Sequence, residues 1–139
     1  MKQSNTIIVG AGRLGRAIAR KINKVSNVLV VDKSKDKLNR LQDYSGFVDC
    51  GDATDLSFLE KSGIKAADKI VAVTDDDNVN IFLADVCTYI YDVPHIVIKL
   101  KDSRKRVLVD DRVKCICLFD LFLDNYEKAS EGEVGRWRL

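Results

Sequence analysis

The chain of 139 residues has one proline (Pro94), one histidine (His95), and four cysteines with no C-x-x-C spacing among them. Each scarcity excludes something. Cys115 and Cys117 share one face of a strand, too constrained for an easy local disulfide, and have no neighbouring His or Cys to complete a zinc site. Cys50, Cys87, Cys115 and Cys117 therefore read as buried, reduced thiols. A lone histidine opening a strand is a poor general base, and neither Tyr89 nor Tyr91 has a lysine four residues on. No catalytic residue and no metal site is expected. No apolar run is long enough to span a bilayer, and the start MKQSN lacks the apolar core of a signal peptide. The chain reads as cytoplasmic, without membrane insertion.

There is also no strong charge imbalance. The net charge is +2, although residues 1–50 carry ten Lys/Arg against four Asp/Glu and residues 51–100 four against nine. The basic residues after the first glycines (Arg13, Arg16, Arg20, Lys21, Lys24) are not interleaved with aromatics and read as a solvated helix face, except Arg13. Nucleic acid is not an expected partner. A hydrophobic content of 46% with 32% charged residues, over this length, fits one globular domain.

What the sequence does contain is organised around TIIVGAGRLGRAI, residues 6–18. Thr6 to Val9 form a strand running into Gly10, Gly12 and Gly15, and a helical apolar pattern (Leu14, Ala17, Ile18, Ile22) begins inside the glycines. In a dinucleotide-binding turn the first glycine makes the bend, the second lets backbone approach a pyrophosphate, and the third lets helix pack on strand. Phosphate then sits at the positive end of the helix dipole. A second strand, Val28 to Val31, ends in Asp32, 20 residues after Gly12. A carboxylate there accepts ribose hydroxyls and repels a 2′-phosphate, favouring NAD(H) or ATP, ADP or AMP over NADP. Lys33 softens that bias without reversing it. Asp32 also suits an acidic cap for the helix beginning near Ser34.

Further along, a helix over 33–42 precedes a strand at 46–50, and a helix capped by Thr54 or Asp55 follows. A strand at 69–73 runs into the acidic turn Thr74-Asp75-Asp76-Asp77-Asn78 and a long helix to Tyr89. A strand over His95 to Leu100, a weak helix over 102–109 with Ser103 as a possible cap, a sixth strand over 113–118 and a last amphipathic helix from Phe119 to Tyr126 complete the pattern. Strands and helices alternating at short connections predict an α/β Rossmann-like doubly wound parallel sheet of order 3-2-1-4-5-6. The ligand crevice then lies between the ends of strands 1 and 4, at Gly10 and Thr74. Asp32 and Gly51-Asp52-Ala53-Thr54 fall in the same row.

The segments G-A-G-R-L-G, V-V-D, G-D-A-T-D, S-G-I-K-A-A-D and T-D-D-D-N-V-N, in this order, resemble the nucleotide-binding lobe of the family that regulates potassium conductance. That family comprises the Trk and Ktr potassium-uptake regulators and the cytosolic gating domains of potassium channels. The likeness covers roughly residues 5–125. It implies a cytosolic subunit that binds NAD(H) or ATP, ADP or AMP and passes a conformational change to a membrane potassium transporter subunit. It also implies a homo-oligomer, a dimer or ring of dimers, with the final helix crossing to a partner subunit. By position, Gly10, Gly12, Arg13, Leu14 and Gly15 match the phosphate turn, Asp32 and Lys33 the ribose position, and Asp52 and Ala53 the adenine side. Thr74 matches the floor of the cleft, and Lys99 a position that is often basic and reaches for phosphate.

Residues 1–130 are thereby expected to form the nucleotide-binding domain with its linking helix, and 131–139 a C-terminal tail. Family members usually carry a second lobe after the linking helix, so this is either a single-lobe member or a fragment. Asp75 stands where a neutral residue is common, and Asp110-Asp111-Arg112 lacks the usual glycine. The competing expectation is an NAD-dependent oxidoreductase or a fragment of one, which requires a substrate pocket and an acid or base besides the cofactor site.

Overall fold

The computed structural model describes residues 3–131, so the expected tail, beyond residue 131, lies outside the described residues, as do Met1 and Lys2. Six strands form one sheet: β1 (Ser4–Val9), β2 (Ser26–Asp32), β3 (Phe47–Cys50), β4 (Lys69–Ala72), β5 (His95–Lys99) and β6 (Lys114–Ile116). Their order is β3-β2-β1-β4-β5-β6, and each neighbouring pair runs parallel. The helices between them are α1 (Arg13–Ile22), α2 (Lys35–Leu38), α3 (Leu56–Lys61) and α4 (Asp77–Tyr89), with α5 (Leu118–Ala129) after β6.

Because strand side chains alternate, β1 sends Ile7 and Val9 into one layer and Ile8 into the other. Ile7 and Val9 join Ile70, Ala72, Ile96 and Ile98 with Leu59 of α3 and Leu83 of α4. Ile8 joins Val28, Val30, Val71 and Ala19 of α1. Both faces of the central strands are thus dry, as a parallel sheet requires. The outer strands are less covered. Ile116 of β6 is 42% exposed, and among the described residues nothing buries any side chain of α5.

Several local expectations are corrected. The second helix is only Lys35–Leu38: after it the amides of Arg40 and Leu41 donate to the carbonyls of Lys37 and Leu38 in tighter turns, and tertiary bonds take over the carbonyls that follow. Arg20 donates to the carbonyls of Arg40 and Gln42, and the Tyr44 hydroxyl donates to the Val28 carbonyl at 2.6 Å. Burial pushes the Tyr44 phenol up to about 12. Arg16 donates to the Ala11 carbonyl at 2.8 Å, so the basic face of α1 is not merely solvated. Residues Ser103–Leu108 form a 3-10 helix capped by Asp102, whose carboxylate accepts from the Arg104 amide at 3.0 Å, in place of the expected Ser103. Among the cysteines, Cys87 and Cys117 are buried, Cys115 is half-buried, and Cys50 is exposed at the end of edge strand β3.

Candidate functional site

The strand order reverses between β1 and β4, and there α/β sheets open a crevice beyond their carboxyl ends. A cleft of about 450 Å³ lies at that place. Val9, Gly10 and Gly12 line it from β1 and its turn, Asp32, Lys33, Ser34 and Lys37 from β2 and α2, and Gly51, Asp52 and Ala53 from the end of β3. Val73, Thr74, Asp75, Asp76 and Val79 close it from β4 and α4.

Three glycines shape its floor in different ways. Gly10 has φ +114°, and a Cβ there would meet the Val73 backbone at 3.0 Å. A Cβ on Gly15 would overlap the Gly10 carbonyl oxygen, so α1 lies directly against the turn. Gly12 is extended, and a Cβ on it would have nothing within 4 Å. The space above Gly12 belongs to the cleft. Gly12 is also the N-cap of α1, with no side-chain cap and no acidic residue in the first turn. The first N–H groups of a helix lack intrahelical partners, and here neither a cap nor a carboxylate takes them.

Asp32 is fixed by backbone. Its Oδ2 accepts from the Ala11 amide at 2.7 Å and its Oδ1 from the Ser34 amide at 2.8 Å. Ser34, not Asp32, caps α2, accepting from the Lys37 amide at 3.2 Å. Each Asp32 oxygen keeps a second lone pair for a ligand hydroxyl. Asp52 is held in its own turn by the Thr54 hydroxyl at 2.7 Å and amide at 2.9 Å, which keep its carboxyl below the usual carboxylate range.

On the opposite wall, Thr74 is tied down by Asn80, a side chain with no exposed surface. Asn80 Oδ1 accepts from the Thr74 hydroxyl at 2.7 Å and amide at 3.1 Å, while its Nδ2 donates to the carbonyls of Thr74 at 3.1 Å and Lys99 at 2.9 Å. One amide thus joins the ends of β4 and β5. Asp76 caps α4, accepting from the Asn78 amide at 2.8 Å. Asp77 is buried, and its carboxylate accepts from the amides of Lys101 at 2.8 Å and Asp102 at 3.0 Å.

Of the residues expected at a ligand, Gly10, Gly12, Asp32, Lys33, Asp52, Ala53 and Thr74 line the cleft. Arg13, Leu14 and Gly15, in the first turn of α1, are outside the lining. Lys99 is also outside the lining: its ammonium lies 3.4 Å from Asp75, and its side chain is 13% exposed. Ser34, Lys37, Asp76 and Val79 are lining residues that sequence reasoning did not single out. His95 begins β5 at the opposite end of the sheet and is exposed. A second, smaller cavity of about 290 Å³ lies between β6 and α5, lined in part by Arg106, Cys115, Cys117 and Asp120.

The TrkA-N domain family matches residues 6–113, which include every lining residue of the large cleft. A Trk system potassium uptake protein TrkA homolog of Pyrococcus abyssi is 29% identical over 126 residues, 89% of this chain and 56% of that protein. The chain spans about half the length of the curated relatives it matches. Among solved structures, the GsuK channel bound to NAD is 25% identical at a TM-score of 0.73, covering 94% of this chain and 24% of that one. The Kef CTD of Shewanella denitrificans in AMP-bound form is 24% identical at a TM-score of 0.72, covering 91% and 79%. With the family match extending over most of the chain and the cleft falling wholly inside it, this protein belongs to the TrkA-N domain family.

Proposed function

We propose that this chain is the nucleotide-sensing part of a potassium-transport regulator, binding NAD(H) or ATP, ADP or AMP and switching a membrane potassium transporter subunit through ligand-dependent changes of shape. The observation that carries the reading is the open space over Gly12 at the uncapped start of α1, at the reversal point of the sheet. A backbone left bare there fits a pyrophosphate. In this reading Gly10, Gly12, Arg13, Leu14 and Gly15 form the phosphate turn, Asp32 and Lys33 meet the ribose, Asp52 and Ala53 flank the adenine, and Thr74 forms the floor. Lys99 reaches phosphate only by leaving Asp75.

Relatives named as Trk potassium uptake proteins, and the NAD-bound channel of similar fold, support the regulatory role over an oxidoreductase. Residues 1–130 act as one nucleotide-binding domain with α5 as its linking helix. No helix among the described residues is long and apolar enough to cross a membrane, and we place the protein in the cytoplasm, reaching the membrane through its transporter. Mass spectrometry of the nucleotide released from purified protein is expected to find NAD(H) or an adenine nucleotide at close to one per chain. Protein that purifies empty and binds none of these in titration overturns the reading.

A second expectation concerns Asp32. A 2′-phosphate at the ribose would face a carboxylate pinned by two amides, with Lys33 and Lys37 offsetting part of the repulsion. NADP(H) should bind about tenfold more weakly than NAD(H) at low salt, a gap that a single close like charge produces. Asp32→Ala should narrow it, with some loss of thermal stability because the Ala11 and Ser34 amides lose their acceptor. Equal affinities in the unmutated protein would remove Asp32 from the ribose position.

A further inference from the structure

We propose that Asp75 and Asp76 make this cleft select against a third phosphate, so that it takes NAD⁺ in preference to ATP. The inference rests on the nucleotide reading of the cleft and adds which nucleotide it takes. Three helix N-caps line the cleft, Gly12, Ser34 and Asp76, and those of α1 and α4, which flank the reversal point of the sheet, differ in chemistry. The ten-residue α1 begins with a bare glycine cap and open space above it. The start of α4 is already filled by its own carboxylate, since Asp76 Oδ1 accepts from the Asn78 amide at 2.8 Å and the Val79 amide at 3.3 Å. At α4 two of the first amides already have a carboxylate acceptor, whereas at α1 no side chain takes any of them.

The charges along the cleft also differ from end to end: on the β2 and β3 side two lysines stand with Asp32 and Asp52, whereas the β4 side has carboxylates without a lining cation among the described residues. Lys33 and Lys37 line it at the β2 side, where Asp32 places the adenosine. At the β4 side the lining charges among the described residues are Asp75 and Asp76 alone. Lys99, the nearby cation, stands outside the lining and points its ammonium at Asp75, whose own side chain is 83% exposed. Asp77, just behind, is occupied with the Lys101 and Asp102 amides. A ligand with its adenosine at β2 and its diphosphate on α1 extends its remaining half toward β4. A third phosphate would arrive beside two carboxylates, with the Asn78 and Val79 amides already taken by Asp76. A cationic nicotinamide would meet complementary charge, with Val73 and Val79 supplying an apolar wall for a flat ring.

The test is calorimetric titration of the nucleotide-stripped chain with NAD⁺, ADP and ATP, in EDTA so that no divalent ion offsets the phosphates. NAD⁺ should bind at least about tenfold more tightly than ATP, and ADP more tightly than ATP, as close like charges dictate. The double variant Asp75→Asn with Asp76→Asn keeps a side chain able to cap α4 and should shrink the NAD⁺ to ATP ratio to about threefold or less. ATP bound as tightly as NAD⁺ by the unmutated chain overturns the selectivity while leaving the nucleotide site standing. A ratio unchanged in the double variant overturns the assignment to these carboxylates. Failure of all three ligands to bind overturns the nucleotide reading and the selectivity with it.

Discussion

Gly12→Val is expected to leave the domain folded and to lower nucleotide affinity at least about a hundredfold, equivalent to roughly 3 kcal/mol. The two halves of that result have separate causes. Gly12 has φ −70° and ψ −173°, extended backbone open to any residue, and its Cβ direction leads only into the cleft. A Cβ at this position therefore meets none of the protein's own atoms. Its branched side chain instead occupies the space over the start of α1, where the proposed function has phosphate meet backbone. Gly15→Ala is the reciprocal control, because its methyl group would overlap the Gly10 carbonyl and force α1 off the sheet, an overpacking that costs about 1–3 kcal/mol or more. Circular dichroism melting and calorimetry on the same samples separate the two. Wild-type affinity in a folded Gly12→Val protein would show that the cleft is not the phosphate site.

The second large effect is expected on assembly. In α5, Phe119 and Phe122 are 67% and 70% exposed, and Leu118, Leu121, Leu123 and Tyr126 are each exposed to about half or somewhat less. A lone domain gains nothing from so much apolar surface in water, and contiguous patches of this kind mark interfaces. Ile116 beside it on the uncovered side of β6 extends the patch. A second copy presenting the same surface would bury both at once, in a two-fold contact. The protein should therefore run as a dimer or larger in light scattering at tens of micromolar. Phe122→Asp with Leu123→Asp, which places two carboxylates in that contact, should convert it to a monomer with an unchanged melting profile for the sheet. A monomer from the unmutated chain would show that α5 serves some contact other than with a second copy.

How far the sequence alone reveals this protein follows from the range of each interaction. The glycine turn, the strand ends at Asp32 and Thr74, and the sheet order are local patterns joined by general topological rules, so they are legible in the chain. Lys37 is not, because it stands on a one-turn helix that only the folded chain brings beside the ends of β1 and β4. Asn80 left a faint signal: it is a polar residue at an inward position of α4, in step with Asp77, Ala84 and Cys87. Such a residue must be hydrogen-bonded, but nothing in the sequence says that its partners are Thr74 and Lys99. Lys99 illustrates the opposite case. Its position invites a role at phosphate, and only the structure places Asp75 in front of it.

The three glycines of the turn are held by different forces, and this bears on how such a domain changes over generations. Every single-base change out of a glycine codon that keeps the reading frame open gives a residue with a Cβ. Gly10 and Gly15 refuse that atom because of their own chain, so any lineage that still folds retains them. At Gly12 the chain makes no such objection, and on the proposed function only a ligand would. A descendant released from binding would keep the first and third glycines and lose the second, and its sequence would record the loss of the ligand while the fold persisted.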